Sequence, residues 1–233
     1  MNSMIPIPLP SGGAGVGASA AQRNRVLRNT YALLALSMVP TVLGAWIGVS
    51  TGIVAAMSPG VSLVVFLGGA FALMFAIEKT KNSAAGVPVL LGFTFFMGLM
   101  LSRLVGQVLG LSNGANLIMM AFAGTGAIFL GMATLSSLIK RDLSSMGKFL
   151  FIGAVMLLVA GIANFFIQSS ALMITLSVVA IGIFSAFILY DLKRVQDGLE
   201  TNYISATLSV YLSIYNVFQS LLAIFGLTSG RAE

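Results

Sequence analysis

The sequence predicts an all-α, polytopic membrane protein with seven transmembrane helices. Three observations carry that prediction. First, 58% of the 233 residues are hydrophobic and only 8% are charged, against roughly 25% charged in soluble domains. A water-facing surface cannot be built from so few charges. Second, the apolar residues fall into seven runs, each about long enough to cross ~30 Å of hydrocarbon. Third, the Lys and Arg side chains sit in short segments between those runs. The net charge of +6 therefore reads as bilayer topology and not as nucleic-acid binding.

The elements follow in order. Residues 1–22 carry no charge and contain Pro6, Pro8 and Pro10 followed by a Gly/Ala/Ser run. Too little apolar surface is available there to fold alone, and the charged n-region of a signal peptide is missing. Arg23, Arg25 and Arg28 precede the first span, about 30–49, which contains Pro40 and Trp46. The proline is expected to kink it and the tryptophan to sit at an interface. Spans two and three are expected at 61–77 and 84–101, the latter closed by Arg103. Span four is 116–139, followed by Lys140, Arg141, Asp142 and Lys148. Spans five and six, 149–167 and 171–190, are separated by a very short break, and span seven is 204–227. The corresponding division is a disordered cytoplasmic tail (1–28), a seven-helix transmembrane domain (29–228) and a short external tail (229–233). No internal repeat of the kind used by inverted-repeat transporters is visible.

Orientation follows from the basic residues. Ten of the twelve Lys and Arg lie on one set of loop ends, leaving only Arg103 and Arg231 on the other. The positive-inside rule places the ten in the cytoplasm. The N-terminus is then cytoplasmic and the C-terminus external.

The inventory excludes most enzymatic chemistry. There is no histidine and no cysteine, which removes the usual Ser-His and Cys-His nucleophile pairs and any His/Cys metal site. No second acid accompanies Asp191 within a span, and no lysine lies inside one. The chain is read as a non-enzyme without a resident cofactor.

Three constellations remain. Ser205, Ser209, Ser213, Asn216 and Ser220 fall within an arc of roughly 80° on span seven. A polar stripe is costly against lipid, so span seven should be buried. The stripe then serves either as interhelical hydrogen bonding or as the wall of a polar path. Asp191 ends span six, where the negative end of the helix dipole disfavours a carboxylate unless it is paired or protonated. Lys79, Lys81, Lys193 and Arg194 are candidate partners, and the alternative is a solvated interfacial acid. Ala123, Ala127 and Gly131, four residues apart, form a small-residue ridge for close helix packing. Asn164 is a lone amide within span five, suited to an interhelical hydrogen bond or to a pore wall.

Several motifs, in the same order along the chain, resemble the bacterial YccA-like branch of the Bax inhibitor family. They are Arg25-Val-Leu-Arg-Asn-Thr-Tyr31, Lys140-Arg-Asp-Leu-Ser144, Ile188-Leu-Tyr-Asp-Leu192, and Glu200-Thr-Asn-Tyr-Ile-Ser-Ala-Thr207 leading into Ser209-Val-Tyr-Leu-Ser-Ile-Tyr-Asn-Val-Phe218. The resemblance spans about Arg23 to Leu227. It implies two three-helix layers around a central last helix, in a bacterial inner membrane. It also implies a pH-sensitive calcium leak gated by two aspartates. One of these matches Asp191, while the second falls on Ser213, so this chain has half of the pair. By that resemblance Asp191 is the gate and the weak ligand of a transient calcium ion, and Ser213, Asn216 and Asn164 line the path. The alternative that the resemblance carries is a non-conducting modulator and substrate of the membrane protease FtsH. The implied partners are the lipid bilayer and that protease.

Overall fold

The computed structural model describes residues 19–230, which form seven helices: α1 (Ala20–Thr51), α2 (Pro59–Thr80), α3 (Gly86–Leu109), α4 (Gly114–Leu138), α5 (Met146–Ile167), α6 (Ser170–Gln196) and α7 (Tyr203–Ser229). Each is long and apolar enough to cross a bilayer. Polar caps punctuate the apolar runs. The Ser58 hydroxyl accepts from Val61 N ahead of Pro59 at the first helical position. Ser169 accepts from Leu172 N at the start of α6. Such caps satisfy amide groups that a helix start leaves without an internal partner.

Three boundaries differ from the sequence reading. α1 begins at Ala20, so Ala20–Arg28, assigned to the tail, are helical. Ser19 caps this start by accepting from Gln22 N at 3.2 Å, and the Ala, Gln, Arg and Leu residues that follow are good helix formers. The remainder of the expected tail, residues 1–18, lies outside the described residues, as do residues 231–233. α3 runs through Arg103 to Leu109; the guanidinium donates to Ser62 Oγ at 3.3 Å, its long stem carrying the charge along the helix. α6 continues past Asp191 to Gln196.

Two groups of three helices surround the last. α3 packs on α1 and α2, α6 packs on α4 and α5, and α7 touches α1, α2, α3, α4 and α6. The last helix is thus central, as expected, and its side chains supply much of the core: Val210, Tyr211, Val217 and Leu222 are fully enclosed. α2 and α5 are peripheral. α2 buries only Ala70 and Ile77, and large side chains such as Phe71, Phe149 and Phe166 stand more than half exposed, where hydrocarbon and not water is their solvent.

The closest helix pair is α1 with α3. A methyl group added to Gly44 would fall on the carbonyl oxygen of Phe95, one added to Gly48 on the Ser102 side chain, and one added to Gly98 on the carbonyl of Thr41. Residue numbers rise together along both helices, so the pair is parallel, as two spans separated by one crossing must be. Gly44-xxx-Gly48 is the small-residue motif that lets backbones approach. The ridge singled out in the sequence is a different one, and the structure corrects it. Ala123, Ala127 and Gly131 are exposed, and α4 instead buries Leu117, Ala121, Thr125 and Ser136. Nothing lies within 4 Å of a Cβ added at Gly131.

Candidate functional site along the central helix

Two opposite faces of α7 carry hydroxyl groups, and they behave differently. The face predicted from the sequence is the serine stripe. Ser213 and Ser220 are buried and Ser205, Ser209 and Asn216 are half-buried, so none of the five is fully exposed. Their hydrogen bonds stay local, however. Ser213 Oγ donates to the carbonyl of Ser209 at 3.1 Å, and Asn216 Nδ2 to that of Leu212 at 2.8 Å. These are the i−4 back-bonds open to any short polar side chain within a helix.

The opposite face joins the helices. Thr207 Oγ1 bonds the carbonyl of Tyr203 at 2.7 Å and reaches that of Thr30 at 3.4 Å. The Tyr211 hydroxyl lies 2.8 Å from Thr41 Oγ1 and 3.4 Å from the carbonyl of Thr94. Tyr215 donates to the carbonyl of Met97 at 3.3 Å. Thr207, Tyr211 and Tyr215, four residues apart, tie α7 to α1 and α3. The sequence carried the signal: three hydroxyl side chains on one face of an apolar span, each needing a partner when buried.

Asp191 sits toward the C-terminal end of α6, 8% exposed, between the enclosed side chains of Ile188 and Leu192. Among the described residues it makes no ion pair. None of the four candidate partners forms an ion pair with it, although the charge of Arg194 acts on it: Lys81 pairs with Glu78 at 2.5 Å and Lys193 with Asp197 at 2.5 Å. Lys79 lies over the Phe75 ring and Arg194 over Tyr190, 5.3 and 5.7 Å from the centroids. No hydrogen bond joins Asp191 to Ser213, whose hydroxyl is turned to its own helix. Asn164 is not brought to Asp191 either. Its Oδ1 accepts from Ser169 N at 3.1 Å, closing the left-handed turn at Gln168 at the far end of α6. That local role accounts for its burial. Among the described residues no three His, Cys, Asp or Glu side chains gather as a metal site.

Polar contacts also close the end of the bundle that holds the α2–α3, α4–α5 and α6–α7 turns. Asn202 caps α7, its Oδ1 accepting from Ile204 N and Ser205 N at 2.9 and 3.1 Å. Its amide donates to the carbonyl of Lys81 at 3.1 Å and to Asn82 Oδ1 at 2.8 Å. One side chain therefore fastens the α6–α7 turn to the α2–α3 turn. Gln196 Nε2 donates to Ser136 Oγ at 2.8 Å, linking α6 to α4. In the α4–α5 loop, the hydroxyl and amide of Ser144 both donate to Asp142 and hold its carboxyl below the usual carboxylate range.

The family model described as "Inhibitor of apoptosis-promoting Bax1" matches residues 23–230. A membrane protein of Vibrio cholerae is 39% identical over 90% of this chain and 92% of its own length. A protein of Escherichia coli (strain K12), named Modulator of FtsH protease YccA, is 36% identical over 91% of this chain and 94% of its own. Its counterpart in E. coli O6:H1 is named Inner membrane protein YccA. A family match over nearly all of the seven-helix bundle, with relatives of almost the same length, leads to one conclusion: the chain is a member of the Bax inhibitor family.

Proposed function

We propose that the chain is a modulator of an FtsH-type membrane protease, acting through contacts within and beside a bacterial inner membrane. The observation that carries this reading is the 36% identity to the E. coli modulator over nearly the full length of both chains. A basic surface at the start of α1 also supports this reading. α1 starts ten residues before the expected membrane boundary, and its first turns present Arg23, Arg25 and Arg28 on the side assigned to the cytoplasm. The test is expression of the tagged full chain in E. coli. FtsH is expected to co-purify from the membrane fraction, and a short-lived FtsH substrate is expected to persist at least twice as long. Absence of both effects rejects the reading.

A second reading, a passive calcium leak, is favoured by Asp191. It is a buried carboxylate without an ion pair among the described residues, a charge that a cation would neutralise. In proteoliposomes holding only this protein, calcium entry above that of empty vesicles is expected. Asp191→Asn should bring it down to the empty-vesicle rate. Ser213→Asp, which restores the second acid of the family pattern, should raise it. Flux that is equal in wild type, Asp191→Asn and empty vesicles rejects the leak and leaves the modulator reading untouched.

A further inference from the structure

The backbones of α1 and α4 do not approach one another, and an apolar groove of about 580 Å³ lies between them. α3 and α7 form its floor. Tyr31 and Phe129 meet across one end, ring centroids 6.1 Å apart and edge to face. On α1 the lining runs from Tyr31 to Val49, about 27 Å at ~1.5 Å per residue. That is close to the thickness of a bilayer's hydrocarbon core.

The polar atoms of the groove describe its occupant. Thr41 donates to the carbonyl of Ser37 at 2.8 Å, so the 2.8 Å contact between the two hydroxyls is donated by Tyr211. Thr125 donates to Ala121 and Tyr215 to Met97. Every hydroxyl deep in the groove has thus placed its proton on the protein. The two lining groups without a hydrogen bond among the described residues are the Tyr31 hydroxyl and the Trp46 indole N–H, about 22 Å apart along α1. The groove is dry in its middle and offers donors only near its ends, the polarity profile of a phospholipid layer.

Size selects among apolar occupants. A helix ~10 Å across and ~27 Å long displaces about 2,000 Å³, so it would stand mostly outside a groove of this size. An alkyl chain about 4–4.5 Å wide over the same length displaces about 400 Å³, which fits. Charge selects the headgroup. Arg28 stands one heptad before Ala35 and two before Val42, both lining residues, and so continues their row just beyond the Tyr31 end. It is exposed and makes no ion pair or hydrogen bond among the described residues.

We propose that the α1–α4 groove is a binding site for an anionic phospholipid from the leaflet on the Arg28 side. One acyl chain lies along the groove over Tyr211 and Thr41, and the phosphate pairs with Arg28. The site is tested on the purified full chain equilibrated with vesicles of equimolar phosphatidylglycerol and phosphatidylcholine. The lipids retained after exchange into detergent are then counted by native mass spectrometry. Wild type is expected to retain phosphatidylglycerol about fivefold over phosphatidylcholine, the size one basic residue near the surface gives an anionic lipid. Gly126→Phe fills the groove, and an added Cβ there meets nothing within 4 Å, so the fold is kept; retained lipid should vanish. Gly161→Phe, equally open but on α5, should retain it. Arg28→Gln should hold both lipids equally. Undiminished retention in Gly126→Phe, or an unchanged preference in Arg28→Gln, overturns the proposal. So does a Gly126→Phe variant that keeps its lipid and loses a partner protein, which would make the groove a helix-docking face.

Discussion

Gly98→Leu is expected to cost about 3 kcal/mol or more and to leave little folded protein in detergent. The reason is what the new side chain would meet. A Cβ at residue 98 falls on the backbone of Thr41, so no side-chain rotation relieves the clash and α1 must separate from α3. Thr41 belongs to the hydroxyl pair that holds α7, so the displacement carries to the centre of the bundle. Gly44→Leu should behave alike, its new side chain meeting the Phe95 backbone. Ala127→Leu is the contrast: it lies on the exposed face of α4 and should stay within about 0.5 kcal/mol of wild type. Thermal unfolding of the three variants in one detergent decides the matter. Equal melting temperatures for Gly98→Leu and Ala127→Leu would show that α1 and α3 are not in backbone contact.

The second large effect is expected at Asn202. Replacing it with alanine removes the α7 cap, worth about 1 kcal/mol. It also removes the two amide hydrogen bonds to Lys81 and Asn82, worth together about 1 kcal/mol where partly exposed. A loss near 2 kcal/mol follows, seen as a lower melting temperature. Asn202→Asp separates the parts. The carboxylate still accepts from Ile204 and Ser205, but it cannot donate to the α2–α3 turn, so about half of the loss should remain. If aspartate is as damaging as alanine, the cap is not what Asn202 contributes.

How much of this was legible in the sequence depends on what the bilayer demands. A span must be apolar over a fixed length, so all seven helices, the short break at 168–170 and the burial of α7 could be read from residue types, while the central place of α7 came with the family resemblance. Which face of a span is buried could not. In water a helix advertises its inner face by contrast with a polar outer one, but in hydrocarbon both faces are apolar. That is why Ala123-xxx-Ala127-xxx-Gly131 and Gly44-xxx-Gly48 look equivalent on paper while only the glycines lie at a helix contact. The serine stripe marked α7 as buried but did not show which partners its hydroxyls would take. Short hydroxyls can satisfy themselves on their own helix, as Ser213 does, whereas a tyrosine hydroxyl stands too far from its own backbone and must find another helix, as Tyr211 and Tyr215 do. Asn164 illustrates the same ambiguity: an amide within a run reads as an interhelical hydrogen bond or a pore residue, and its residue type does not reveal the turn that it closes.

The helix at the centre of the bundle is also the last to be made. While the ribosome works through α1 to α6, the position that α7 will occupy is held by nothing the chain has yet produced. Thr30, Thr41 and Tyr31 enter the membrane some 160 or more residues before Tyr203. At ~5–20 residues per second that interval is about 10–30 s. The two three-helix groups can meet along α3 with α4 and α1 with α6, but the central position stays open to lipid until α7 arrives. A chain stopped short of α7 would thus present to the cell's quality control a bundle without its centre and not a slightly shortened one.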